Sequence, residues 1–248
     1  MTLRRTAWDD PHFGFESMEL AVTDADSDGA ALAEAEKVLS SGKVYCAVKI
    51  PVKRVALIHA LEERGFQFLE TQAELHLNLS KDFQPEKYLL SIAERGRIEP
   101  VSSEDFPFLL NRLEGVFDSD RICLDPAFGP EISLSRYRGW LSDRFGKDVA
   151  HIAWIIADGK RMGFFFMECK GAFADSALAG LFPEFKGTGY APLVISSHIA
   201  CAKELGCRKL VTRVSMNNLE SLRLHLAFGY QIASANYVMR HIGEQNER

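Results

Sequence analysis

Leu178-Ala179-Gly180-Leu181-Phe182-Pro183-Glu184-Phe185-Lys186-Gly187-Thr188-Gly189-Tyr190-Ala191-Pro192 is the stretch whose reading decides the fold. Its apolar opening, Leu178 to Phe182, reads as a buried strand that Pro183 ends. From about Gly189 to Leu205 the residues predict a helix, with Gly206 as its C-terminal stop. Pro192 suits the first helical turn, where an N–H would have no intrahelical acceptor. Strand, glycine turn and helix N-terminus together present backbone N–H groups at a positive helix end, which an anionic pyrophosphate requires. The glycines permit positive φ and close approach of phosphate oxygens. By itself the turn also fits a plain strand-to-helix connection. It lacks the Gly-Lys-Ser/Thr close of a P-loop, and the further glycine and distant acid of a dinucleotide fold.

Beyond it, Arg208 to Val214 alternates like a half-buried strand. Asn217 or Asn218 can cap a helix running through Phe228, with Gly229 as its stop and Leu219, Leu222 and Leu226 as its apolar face. A last strand, Gln231 to Met239, leads into a polar tail expected to fray.

This order of strand, glycine turn, helix, strand, Asn-capped helix, Gly-aromatic pair and strand resembles the acyl-CoA-binding half of the GCN5-related N-acetyltransferases (GNAT). Lys186, Gly189 and Ala191 match that family's loop, Arg/Gln-x-x-Gly-x-Gly/Ala, with Lys in its first position. Asn218 and Gly229-Tyr230 match its second motif, and the resemblance spans about Val149 to Met239. It implies an α/β fold with a mixed sheet and acetyl-CoA as co-substrate. Leu181, Phe182, Lys186, Gly187, Thr188, Gly189, Tyr190, Ala191, Asn218 and Ser221 would hold the coenzyme. A backbone N–H on the strand Gly163 to Glu168, taken as the family's splayed fourth strand, would bind the thioester oxygen.

One position departs from the family. Its general acid is a Tyr seven residues after the motif Asn, and that count from Asn218 reaches His225. Imidazole protonates a thiolate only from its charged form, so His225 either serves as the acid or packs beside the coenzyme. Glu168 is the candidate base, its alternative being a solvated acid at a strand end.

Trp8-Asp9-Asp10-Pro11-His12-Phe13-Gly14 resembles the opening of two-domain sugar-nucleotide acetyltransferases of the dTDP-fucosamine acetyltransferase type. Arg121 to Pro126, followed by Tyr137 and Trp140, resembles the same group's approach to its catalytic domain. The resemblance implies an acceptor amine on a nucleotide-linked deoxyamino sugar, with His12, Arg121 and Asp125 as its candidate contacts. Trp8, Phe13 and Phe15 equally suit core packing, and Arg121, Asp120 and Asp125 equally suit surface loop charges. Transfer to another small-molecule or protein amine, or a non-catalytic acyl-CoA-binding module, are the competing functions.

Leu57 to Leu79 repeats the helix, Gly-aromatic-Gln and strand order of Leu222 to Arg240, without a Gly-x-Gly loop before it. The expectation is a truncated GNAT-like domain over residues 1–97 and a coenzyme-binding domain over 98–248, with Glu94 to Pro100 as linker. A net charge of −5 argues against nucleic acid as the main partner, and no apolar run reaches a membrane span. Five cysteines without Cys-x-x-Cys spacing, and a start lacking a signal-peptide core, lead to a cytoplasmic expectation. Seven scattered histidines give no metal pattern, so no metal is expected, and a second copy of the chain is the one protein partner anticipated.

Overall fold

The computed structural model describes residues 1–80 and 84–243. The first half of the chain runs β1 (Thr2–Arg5), α1 (Asp10–Phe13), β2 (Glu16–Ala21), α2 (Asp28–Leu39), β3 (Val44–Pro51), α3 (Val55–Glu62), β4 (Gln67–Asn78) and α4 (Lys87–Ala93). It continues with β5 (Gly96–Pro100), α5 (Phe106–Asn111), α6 (Arg121–Leu124), α7 (Gly129–Arg144), β6 (Ala150–Ala157), β7 (Lys160–Lys170) and β8 (Phe173–Leu181). A 3₁₀ turn (Pro183–Phe185), α8 (Ala191–Glu204), β9 (Lys209–Ser215), α9 (Leu219–Ala227) and β10 (Gln231–Ile242) complete it.

Among the described residues the strands form one mixed sheet ordered β1-β2-β3-β10-β4-β9-β8-β7-β6-β5. Two pairs are parallel, β2 with β3 and β8 with β9; every other neighbour is antiparallel. The two-residue alternation of strands sorts the side chains between two faces. Along β7, Phe165 and Met167 enter one core while Phe164 and Phe166 enter another. The front face carries α2 and α3 over one end and α4, α8 and α9 over the other. The back face carries α1 and α6 over the β3 region, and α5 and α7 over β6 to β8.

The repeat legible in the sequence is present as β2-α2-β3-α3-β4 and β8-α8-β9-α9-β10. The last strands of the two units are exchanged: β4 pairs with β9, β10 pairs with β3, and β4 and β10 pair with each other at the centre. The sheet therefore runs without a break across the boundary expected at residues 97 and 98, which itself falls inside β5.

Three local expectations are corrected. The linker expected over Glu94 to Pro100 contains β5, an edge strand paired with β6 through Gly96 to Pro100. Its charges and terminal proline are what an edge strand tolerates, so composition alone reads it as a turn. On α9 the buried residues are Leu222 and His225, whereas Leu219 and Leu226 are exposed. The last strand continues past Met239 to Ile242, and the remainder of the expected tail, residues 244–248, lies outside the described residues.

Candidate functional site

The parallel pair β8–β9 is in register only from Phe173/Lys209 to Ser176/Thr212. The bulge in the β7–β8 ladder falls between Ser176 and Leu178, so Ala177 is the extra residue at the point where the pairing stops. Beyond it, β8 continues to Leu181 and β9 to Ser215 without pairing to each other. The two strands diverge into a V whose facing edges carry unpaired backbone groups. The equivalent pair in the first half stays closed, β2 matching β3 over all six of its residues and Val22 N–H bonding on to Lys49 O.

The splayed strand is thus β8. Gly163 to Glu168, expected to supply the thioester's N–H donor, lies within β7 and is paired on both sides, to β6 and to β8. That assignment is corrected by one strand. The free backbone edge belongs to Ala177–Leu181, and the hairpin order of β7 and β8 was too closely spaced in sequence to separate them.

The loop after β8 has the predicted form. Gly187 and Gly189 have φ of 72° and 86°. Open space surrounds the Cβ position at both, so the left-handed backbone, and not crowding, is what requires glycine there. Among the described residues, the N–H groups of Gly187, Gly189, Tyr190 and Ala191 have no protein acceptor, and Tyr190 places no side-chain cap on α8. Thr188 closes back on Phe185 O through its hydroxyl, at 2.5 Å. Lys186 Nζ bonds Asp118 at 2.7 Å, and the Tyr190 hydroxyl joins Asp158 and Arg95. Leu181 and Phe182 are buried, Phe182 beneath the Arg112 guanidinium.

The corresponding turn of the first half is sealed by its own acid. Asp26 accepts from the Thr23 N–H and hydroxyl and pairs with the N-terminal ammonium, and Ser27 caps α2.

Asn218 caps α9, its Oδ1 accepting from Ser221 N–H at 3.0 Å. One turn on, His225 is buried and its Nδ1–H donates to Ser221 O at 2.7 Å, with Ser221 Oγ 3.3 Å away. The neutral ring then carries its lone pair on Nε2. Burial holds its basicity below the ordinary histidine value, the Ser221 bond opposing. Beside it lie the Tyr230 ring, at 5.0 Å between centroids, and electrostatically His198 of α8. His198 is 2% exposed, and neither ring nitrogen has a well-formed hydrogen bond. Burial, with His225 adding to it and a backbone contact to Leu178 opposing, pushes its pKa down to about 3. Sequence reading missed His198, since a histidine among apolar helix residues carries no pattern of its own.

Glu168 lies on the back face opposite Asp175, at the closed end of the V. Arg144 at 3.4 Å and Lys170 at 3.6 Å engage its carboxylate. Nearer the opening, Arg213 bridges Asp175 at 2.9 Å and Glu74 at 3.3 Å, and Glu74 bonds His76 at 2.8 Å. Glu74 and His76 share a strand face by their spacing of two, the one signal by which sequence could have paired them.

The three expected acceptor contacts separate. His12 bonds Ser135 Oγ at 2.9 Å and packs against Gly139, where any Cβ would collide with its ring. Asp125 is 2% exposed, its carboxylate engaged by Arg240 at 2.9 and 3.0 Å and by the Ala127 N–H. Both are internal fastenings, as are Asp120, which caps α6 and accepts from Ser133, and Phe13, stacked on Phe128. Arg121 alone keeps unused donors. Among the described residues no group holds three or more side chains placed for a metal, and no helix is long and apolar enough to cross a membrane.

A mixed sheet with a splayed parallel pair leading into a glycine turn and a helix defines the fold of the GCN5-related N-acetyltransferases, and this chain has it. A GCN5-related N-acetyltransferase from Sphaerobacter thermophilus superposes with a TM-score of 0.66 at 11% identity, over 98% of this chain and 77% of that one. A functionally unknown conserved protein from Staphylococcus epidermidis gives 0.65 at 14%, over 96% and 89%. A tandem GNAT protein from the clavulanic acid biosynthesis pathway gives 0.57 at 13%, over 93% and 76%. No family model and no curated protein matches the sequence.

Proposed function

We propose that the protein transfers the acetyl group of acetyl-CoA to the amino group of a small polar molecule. The observation that carries this reading is the continuity of the open V, the positive-φ loop and the free N-terminus of α8. An acyl-pantetheine arm can pair with the exposed edge of β8 while its pyrophosphate meets the four free N–H groups. Lys186, drawn from Asp118, adds the positive charge.

In the reaction the amine nitrogen attacks the thioester carbon, the C–S bond breaks, the ammonium loses a proton and the thiolate gains one. Holding both reactants in the V supplies proximity, and an N–H on the free edge at Ala177–Leu181 stabilises the oxyanion. His225 is the proposed donor to the thiolate. Because its resting proton sits on Nδ1 toward Ser221, it donates from Nε2 only as the imidazolium, which burial disfavours. Glu168 is ion-paired, which leaves water or the Glu74–His76 pair to take the ammonium proton.

The amino-sugar acceptor implied by the opening motif is kept in this proposal, and its nucleotide part is not. His12 and Asp125 are engaged within the protein, and Arg121 stands between two carboxylates that repel a diphosphate.

Thiol release from acetyl-CoA, measured with and without an amine panel, tests the reading. Amine-dependent release is expected, with kcat falling as pH rises through a value below 6.5 and His225→Phe lowering it at least ~10-fold. Near-normal turnover in that variant removes His225 from the mechanism. Tight coenzyme binding without release for any amine favours the binding module.

A further inference from the structure

Between the apolar clusters at the two ends of the back face, the central strands carry a polar floor. In order away from the V it consists of Arg213 and Ser215 on β9, then Glu74, Gln72 and Glu70 on β4. Gln72 is opposite Ser215, so Glu70 sits two residues further on the same face, about 7 Å along the strand. At that far end Arg121 reaches down from α6, with Glu70 Oε1 at 3.8 Å and Glu19 Oε2 at 3.9 Å. Both contacts are too long for hydrogen bonds.

Among the described residues Arg121 donates no hydrogen bond at all, although its side chain is only 16% exposed. The other well-buried arginines of this region are satisfied: Arg240 holds Asp125 with two bonds and Arg136 holds Asp9 at 2.5 Å. Beside Arg121 stands a second unsatisfied group, the Tyr45 hydroxyl, in a residue 2% exposed and electrostatically coupled to the guanidinium. Glu70 is 3% exposed, and among the described residues its carboxylate accepts one hydrogen bond, at 3.4 Å from Gln72, beside the longer ion pair with Arg121. Buried polar groups normally find hydrogen-bond partners, and here the two carboxylates balance the guanidinium's charge without accepting its N–H groups.

We propose that Arg121, Glu70 and Tyr45, backed by Glu19 that Arg4 and Lys49 hold in place, form the recognition site for the hydroxylated part of an amino-sugar acceptor, whose amine then reaches the V past Gln72 and Ser215. This rests on the acetyl-transfer reading above. The charge pattern selects the ligand. A guanidinium with free donors beside Glu70, whose carboxylate accepts only a long bond from Gln72 among the described residues, suits hydroxyl groups, which need one of each. A phosphate would face Glu19 and Glu70 at close range, and a polyamine would face Arg121 and Lys49, the latter bonded to Glu19 at 3.0 Å. The site lies mainly on strands of the first half, whose own parallel pair is closed. One half holds the coenzyme and the other reads the acceptor.

The test is steady-state acetylation of galactosamine, galactosamine 1-phosphate and spermidine by the full chain, with Glu70→Gln, Arg121→Met and Tyr45→Phe variants. Acetyl-CoA affinity and melting temperature are measured for each. Galactosamine should be the preferred probe, and Glu70→Gln and Arg121→Met should each raise its KM at least ~10-fold, as losing a buried polar contact does. Coenzyme affinity should stay unchanged and kcat should move far less than KM. If Arg121→Met lowers the melting temperature, the isosteric Glu70→Gln and Tyr45→Phe carry the comparison. Unchanged KM in the variants, preference for the phosphate or spermidine, or acceptance of none of the three while acetyl-CoA binds, overturns the site. Absence of acetyl-CoA binding overturns the proposed function instead.

Discussion

His198 shows how burial turns an ordinary side chain into a pH-sensitive one. In the unfolded chain it titrates near the usual histidine value, whereas in the fold its pKa is pushed down to about 3. Below pH 6.5 the unfolded state therefore takes up a proton that the folded state refuses. The stability this neutral ring contributes is fully present above pH 6.5 and is lost as pH falls toward 3. His198→Gln should flatten unfolding free energy against pH between 6.5 and 5 by up to about 1.4 kcal/mol per pH unit, read from denaturant melts. An identical slope would show His198 already paired or protonated. Glu19 does not disturb that window. Burial raises its pKa, but Lys49, Arg121 and Arg4 outweigh this and bring it to about 2, so its contribution is lost only as pH falls below its ordinary value of 4.5.

At the scale of elements, the half from β8 to β10 was legible because its signals are local. Gly187, Gly189, Gly206 and Gly229 all take positive φ, and Asn218 caps its helix as its side chain allows. What sequence did not reveal depends on pairing across distance. Nothing in Phe173–Leu181 says that its partner strand leaves after Ser176, and nothing in Gly96–Pro100 says that it lies at an edge. The engagement of Asp125 was hidden for the same reason: Asp125 and Arg240 are far apart in sequence, and only the fold shows each consuming the other. The open edge of β8 has a measurable consequence. Amide hydrogens of Ala177 to Leu181 directed toward β9 lack the ladder that protects β2 and β3. Saturating acetyl-CoA should slow exchange in peptides covering 177–182 and 186–191 and leave peptides covering 16–21 unchanged. Equal protection of both parallel pairs, or of neither, would contradict the V as the pantetheine site.

At the scale of the whole molecule, two copies of one topology share a sheet by exchanging their last strands. The internal repeat was readable from Gly65-Phe66-Gln67 and Gly229-Tyr230-Gln231, but the exchange was not, because both arrangements demand the same alternation along β4 and β10. The halves have diverged in one decisive respect. The second keeps its parallel pair open above an uncapped helix, and the first closes the pair and fills its turn with Asp26 and Ser27. One open pair and one uncapped loop per chain should bind one coenzyme. Calorimetric titration with acetyl-CoA measures this directly, for the native chain and for Gly189→Val, which strains a backbone at φ 86° without meeting any neighbour. The predicted result is one equivalent bound, with affinity at least ~10-fold weaker in the variant because a β-branched residue resists that conformation. No binding, two equivalents, or equal affinity in both proteins would contradict it.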